Sequence, residues 1–294
     1  MHSENRSWLF VPGDDERKIV KAATVGADAV IFDLEDAVTA ERRPAARLLV
    51  AEVLAGPQPV GTEYWVRINP LDTPEAIADL AVVVGPGLMG IVLPKIQAGA
   101  DVATLSHYLT ALEARAGITP MSVGIMVVAT ETPEMMFRLG DLAGVSTRLR
   151  ACTWGAEDLS TALGAATNKA ADGGWDDPYR LARSLCLFAA RAAKAQPVDT
   201  LQADFRDDAA LIASTTAARR QGFTGRLAIH PGQVAIINEH FGASAQDIAH
   251  AREVVNAFAA KPGVGAVQLN GNMLDRPHLV QAERLLARLT LRED

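Results

Sequence analysis

Short apolar runs rich in β-branched residues recur along the chain at 7–11, 29–32, 64–68, 90–93, 123–128, 149–153, 198–202 and 227–229. Just past them come Pro12-Gly13, Asp33/Glu35/Asp36, Arg67/Asn69, Pro94-Lys95, Glu131, Gly155/Asp158, Asp204 and His230-Pro231. Ala-rich stretches with helical patterning fill the gaps. Strand and helix alternating eight times predicts a (β/α)8 TIM barrel, whose reactive groups gather at the C-terminal ends of the strands. The scattered polar residues after each run thereby become one expected site.

The intervening helices carry ordinary start signals. Asp14 or Asp15 is placed to cap the first, and Thr73-Pro74-Glu75 and Thr132-Pro133-Glu134 each set proline in a first helical turn. The rhythm breaks after residue 260, so residues 1–260 read as the barrel, with 244–260 as its eighth helix. Residues 261–294 read as a C-terminal extension: a Gly-rich segment over 261–275, then a helix over 277–291. That helix is apolar at Leu279, Val280, Leu285 and Leu286, a face that needs a surface to cover it. The extension is expected to cap the barrel mouth, either its own or that of a neighbouring subunit.

Composition narrows the class. The 294 residues are 49% hydrophobic and 21% charged, with a net charge of −7, an ordinary globular balance that gives no support to nucleic-acid binding. No apolar stretch is long enough for a bilayer, and the N-terminal sequence lacks the basic and apolar regions of a signal peptide. A cytoplasmic enzyme is expected. Cys152 and Cys186 match no metal or redox spacing, and Cys152 reads as a small buried hydrophobe.

Alternation sends Asp33 and Glu35 to one side and Leu34 to the other. Such an acidic cluster needs a cation, an arginine or a helix N-terminus to relieve it; Asp36 alone could be the cap of a helix starting at Ala37. Arg67, inside a strand, needs anionic partners. Asp33 or Glu35 would serve, and so would the carboxylate of a small keto acid held bidentately. Glu131 and Asp158 follow adjacent strands. With waters and a chelating substrate they suit Mg²⁺, or Mn²⁺ in its place, while Glu131 could otherwise be a first-turn helix charge. His230 reads as a loop anchor rather than a base. Lys18, Lys21 and Lys95 are placed for phosphate or substrate anions rather than for imine chemistry.

Several of these segments together resemble the citrate lyase β-subunit-like proteins of the HpcH/HpaI aldolase/citrate lyase family. They are Arg6-Ser7-Trp8-Leu9-Phe10-Val11-Pro12-Gly13, Asp33-Leu34-Glu35-Asp36-Ala37-Val38, Val66-Arg67-Ile68-Asn69, Leu93-Pro94-Lys95, Gly155-Ala156-Glu157-Asp158-Leu159 and Ile229-His230-Pro231. The resemblance implies an acyl-CoA carbon–carbon lyase, or the reverse Claisen-type condensation, acting on a CoA thioester and a keto acid. It implies Mg²⁺ on Glu131 and Asp158, Arg67 on the keto-acid carboxylate, and Glu35/Asp36 orienting water and holding Arg67. It further implies a homotrimer or hexamer in which Asp275 of the tail serves as acid/base. Gln97 and the run Ala129-Thr130-Glu131-Thr132-Pro133 depart from the family pattern, at the substrate end of the pocket. The alternatives are a citrate lyase β subunit acting on citryl-acyl carrier protein, a CoA-independent class II aldolase, and a malyl-CoA-type thioesterase.

Overall fold

The computed structural model describes residues 4–293. Eight parallel strands close into a barrel: β1 (Ser7–Pro12), β2 (Ala29–Asp33), β3 (Glu63–Arg67), β4 (Gly90–Leu93), β5 (Gly124–Val128), β6 (Leu149–Thr153), β7 (Gln196–Asp199) and β8 (Gly225–Ala228). The closure is direct, with Trp8 registered against both Ala29 of β2 and Leu227 of β8. Trp8, Ile31, Trp65, Val92, Met126, Val128, Ala151, Val198 and Leu227 fill the interior, which makes the barrel a packed core rather than a pore. Because side chains alternate along each strand, Asp33 and Arg67 continue the inward-facing rows begun by Ile31 and Trp65. They stand in register across β2 and β3.

The helices follow their sequence signals. Asp15 caps Glu16–Ala22, its carboxylate accepting from Lys18 N at 3.1 Å. Proline opens Pro74–Val83 and Pro133–Met136. No helix starts at Ala37. Its N–H donates instead to Asp33 Oδ2 at 3.1 Å, and the next helix is Arg43–Ala55. β7 begins two residues earlier than the apolar run suggests, because Gln196 and Pro197 take the ladder positions opposite Ala151 and Cys152.

Two compact units result, Asn5–Glu239 and a smaller one built from His240 onward. The helix after β8 is Pro231–Phe241, a segment ahead of the expected 244–260. The segment assigned to the eighth barrel helix, Ala245–Ala259, belongs instead to the smaller unit, where Ala251, Val254 and Phe258 share a core with Val267, Leu274 and Ala282. The Gly-rich segment is a hairpin: β9 (Ala266–Leu269) pairs antiparallel with β10 (Asn272–Asp275). Its two-residue turn, Asn270-Gly271, has φ of 52° and 80°, the doubly positive pattern that suits a twisted hairpin. On the terminal helix Arg276–Glu293, Leu279, Leu285 and Leu286 pack against this small core. These three are covered within the chain, and Val280 stays exposed. Among the described residues no helix is long and apolar enough to cross a membrane.

Candidate active site

Arg67 is the hub of the cluster at the C-terminal ends of β2 to β6. Its Nε and Nη2 donate to the two oxygens of Asp33 at 2.7 and 2.6 Å, a bidentate pair. Its Nη1 lies 3.0 Å from Glu35 Oε2 and 3.8 Å from Asp36 Oδ2. Phe10 stacks on the guanidinium at 4.9 Å. Burial works against the charge, but Asp33 and Glu35 more than offset it, so Arg67 is held above the ordinary arginine range. Asp33 is also capped by Glu35 N at 3.0 Å, so its oxygens are occupied and its role is to hold Arg67. Both residues thus meet as the alternation requires, with Leu34 buried on the other side.

Behind Arg67 stands a support that sequence reasoning missed. Asn69 donates from its backbone and its side chain to Asp79 Oδ2, both at 2.8 Å, and from Nδ2 to Leu34 O at 3.0 Å. Arg47 pairs with the other oxygen of Asp79 at 2.5 Å. Asp79 is fully buried, so this charged link ties the loops after β2 and β3 together. The signal available was an aspartate on the apolar face of a helix.

Glu131 and Asp158 sit beyond β5 and β6. Glu131 precedes the helix opened by Thr132 and is buried, so it is not a solvated first-turn charge. Burial, and then the charge of Asp158, push its carboxyl up to about 8. Its Oε2 accepts from the backbone N of Lys95 at 2.6 Å. A Cβ on Gly155 would stand 2.7 Å from Glu131 Cγ and 3.2 Å from its Oε1, so glycine at this point makes the space the carboxylate occupies. Lys95 has φ of 50°, uncommon for a side chain-bearing residue and a place where local strain serves geometry. Its ammonium pairs with Glu35 Oε1, with Asp36 at 3.1 Å and with Asp158 at 3.2 Å.

Glu35 is raised by desolvation, an effect that Arg67 and Lys95 only partly reverse. Lys95 is itself lowered by burial but carried above its usual value by Glu35 and its carboxylate neighbours. The donor set facing this space is all oxygen. A buried carboxylate that resists ionisation beside a second one fits a hard divalent cation, which would relieve both effects. Among the described residues no group of three His, Cys, Asp or Glu side chains is arranged around a metal. Two protein carboxylates, with substrate and water completing an octahedron, is the arrangement the residues allow.

The structure brings together Glu35, Asp36, Arg67, Lys95, Glu131 and Asp158. Lys18 instead pairs with Asp15 at 3.3 Å, and Lys21 lies exposed in the last turn of the same helix. His230 accepts from Gly232 N at 3.1 Å and stacks on Phe205 at 4.6 Å, as a loop anchor does. Cys152 and Cys186 are free and buried, with burial pushing the Cys152 thiol up to about 12. In the smaller unit, Asp275 Oδ1 lies 2.5 Å from His278 Nδ1.

A closed barrel thus carries a carboxylate-and-arginine cluster on its C-terminal rim, the face where barrel enzymes build their active sites. The chain belongs to the HpcH/HpaI aldolase/citrate lyase family, which its residues 6–231 match, and is a carbon–carbon lyase of that family. Residues 180–291 also match the C-C bond lyases of the TIM-barrel fold. The chain is 33% identical over 285 residues to citrate lyase subunit beta of Haemophilus influenzae, covering 96% of each. It is 34% identical over 300 residues to an L-malyl-CoA/beta-methylmalyl-CoA lyase of Cereibacter sphaeroides, covering 95% of this chain and 92% of that one. A crystal structure of CitE from Mycobacterium tuberculosis with magnesium, acetoacetate and coenzyme A superimposes with a TM-score of 0.78, at 32% identity, covering 96% and 97% of the two chains.

Proposed function

We propose that the protein is a Mg²⁺-dependent lyase that cleaves a 3-hydroxyacyl-CoA thioester into acetyl- or acyl-CoA and a keto acid, or runs the reverse condensation. The observation that carries the reading is the buried Glu131, raised by desolvation and by Asp158, a short distance along the rim from Arg67. The magnesium, CoA and acetoacetate in the Mycobacterium tuberculosis relative support the same assignment.

Cleavage between the α and β carbons requires the β-hydroxyl to pass its proton to the water that Glu35 and Asp36 orient, as the C–C bonding pair becomes a thioester enolate and the hydroxyl oxygen becomes the keto-acid carbonyl. Glu131 and Asp158 would hold a Mg²⁺ ion, which would supply Lewis-acid polarisation of the developing keto-acid carbonyl. Arg67 keeps a free N–H on Nη1 and one on Nη2 beyond its internal partners, enough to grip the keto-acid carboxylate while staying fixed to Asp33. Glu35 and Asp36 orient water and keep Arg67 in place. Asp275 then protonates the enolate carbon, or takes the α-proton in the reverse direction. In this reading residues 261–294 cap the site, of the same or a neighbouring subunit, in a cytoplasmic homotrimer or hexamer. Lys21, and Lys18 if it exchanges Asp15 for a phosphate, would meet the anionic end of the CoA.

A second reading, the β subunit of citrate lyase acting on citryl-acyl carrier protein, is favoured by the comparable likeness to the Haemophilus influenzae protein. Assay of malyl-, citramalyl-, citryl- and hydroxymethylglutaryl-CoA, beside citryl-acyl carrier protein, separates the two. Products decide the chemistry: acyl-CoA plus keto acid marks a lyase, whereas free CoA plus the intact hydroxy acid marks a thioesterase. Turnover of a free hydroxy-keto acid without any thioester would mark an aldolase.

A further inference from the structure

Lys95 meets four carboxylates through two atoms. Its backbone N–H donates to Glu131 Oε2 at 2.6 Å, while its ammonium pairs with Glu35, with Asp36 at 3.1 Å and with Asp158 at 3.2 Å. The two halves of the residue differ in freedom. The N–H is set by the end of β4 and by the positive φ of Lys95. The ammonium ends a four-carbon stem, and the side chain retains 29% of its exposure.

The contacts on Nζ also differ in kind. Glu35 and Asp36 follow β2, and Glu35 is nearly inaccessible to solvent. Asp158 belongs to the far side of the cluster, in the first turn of the helix after β6, and keeps one-third of its exposure. A cation that takes Glu131 together with Asp158 must therefore share Asp158 with an ammonium 3.2 Å from its Oδ1, and two cations on one carboxylate repel. Displacement is short: Nζ gives up Asp158 and keeps Glu35 and Asp36, so no buried charge is abandoned.

We propose that the Lys95 ammonium is a built-in counter-cation that neutralises Asp158 in the metal-free protein and competes with the divalent ion for it. The inference rests on the reading of Glu131 and Asp158 as the metal ligands. It makes Lys95 a restraint on metal affinity, although it stands among the ligands and would ordinarily be taken for a helper.

The test is a metal titration of the full chain without substrate, by calorimetry with Mg²⁺ and by electron paramagnetic resonance with Mn²⁺. Lys95→Met keeps the stem and removes the charge. It is expected to bind either ion about tenfold more tightly than wild type, the order expected when one like charge leaves at this range under partial screening. Lys95→Arg, which keeps the charge, is expected to bind no more tightly than wild type. Metal binding by Lys95→Met that is unchanged or weaker overturns the proposal, because Lys95 would then be holding Glu35 and Asp36 in place for the ion.

A second measurement needs no variant. Reductive methylation of the wild-type protein, read at Lys95 by peptide mass spectrometry, is expected to speed up in saturating Mg²⁺ as the amine leaves Asp158. Equal or slower labelling also overturns it. Wild-type protein that binds neither ion would sink the metal reading and this inference together, whereas tight wild-type binding without a gain in Lys95→Met sinks the inference alone.

Discussion

Arg67 and Asp33 face each other in register across β2 and β3 and join through two hydrogen bonds of 2.7 and 2.6 Å, with Arg67 Nη1 left toward Glu35. A lysine cannot reproduce that fork, since one ammonium would have to choose between Asp33 and Glu35. Arg67→Lys is expected to lose nearly as much affinity for the keto acid in the condensation direction as Arg67→Ala. Arg67→Ala should in addition lose on the order of 3–5 kcal/mol of stability, the usual cost of leaving one buried partner uncompensated. Wild-type affinity in Arg67→Lys would reduce Arg67 to a point charge.

Removing either metal carboxylate has a separate signature. Glu131→Ala and Asp158→Ala are each expected to abolish Mg²⁺-dependent turnover while melting near wild type, because Asp158 is one-third exposed and Glu131 is a carboxylate that burial and Asp158 disfavour. Full activity in excess EDTA would rule out the metal role.

Gly155 offers a test at a position that has no side chain of its own. Its φ is −110°, so alanine is sterically allowed by the backbone. The added methyl would nevertheless stand 2.7 Å from Glu131 Cγ and must displace it. Gly155→Ala is expected to weaken Mn²⁺ binding by about tenfold or more, alongside the modest destabilisation of roughly 1–3 kcal/mol typical of overpacking. Unaltered metal binding would show that Glu131 has room to turn and that its present orientation is not needed.

Much of this could be read from the chain before any coordinates. The eight strands and the grouping of Asp33, Glu35 and Arg67 follow from alternation, since a parallel barrel puts every second residue inside. Three features were harder. The fixed backbone of Lys95 depends on a positive φ that no local pattern demands of a lysine, and the Asp79–Asn69 link joins helix and loop through a long-range contact. The start of the smaller unit is hidden because Pro231–Phe241 and Ala245–Ala259 have similar apolar content and only three residues between them. The hairpin at Asn270-Gly271 reads in the sequence only as a Gly-rich segment, although Asn-Gly between apolar runs is a strong turn signal.

Asp199, at the C-terminal end of β7, should report on pH through stability. Asp199 accepts from Trp154 Nε1 at 2.7 Å and from Arg183 at 3.0 and 2.9 Å. Burial alone would raise its pKa, but the Arg183 fork more than offsets this and holds it below the usual carboxylate value. A depressed folded-state pKa contributes stability that is full above the unfolded pKa and is lost as pH falls through the folded one. Asp199→Asn should therefore be markedly less stable than wild type at neutral pH. The gap should narrow only below about pH 4, near the unfolded aspartate value. A stability difference independent of pH between 7 and 2 would mean that shape, not charge, is what Asp199 contributes.

Asp275 closes the second hairpin strand, half exposed, with its carboxylate 2.5 Å from His278 Nδ1. An acid/base group needs a partner able to hold or pass a proton, and His278 stands beside it. Asp275→Asn is expected to lower turnover by about 10²- to 10⁴-fold, the range for losing a general acid/base, while leaving Mn²⁺ affinity unchanged. The same variant tests the assembly. Mixing inactive Asp275→Asn chains with inactive Glu131→Ala chains should restore part of the activity if one subunit supplies the metal carboxylates and another the aspartate. Verified mixed oligomers that recover nothing, beside an Asp275→Asn homo-oligomer that is still impaired, would assign Asp275 to its own barrel. Wild-type turnover in Asp275→Asn would remove it from the chemistry and leave the contact with His278 as a helix cap.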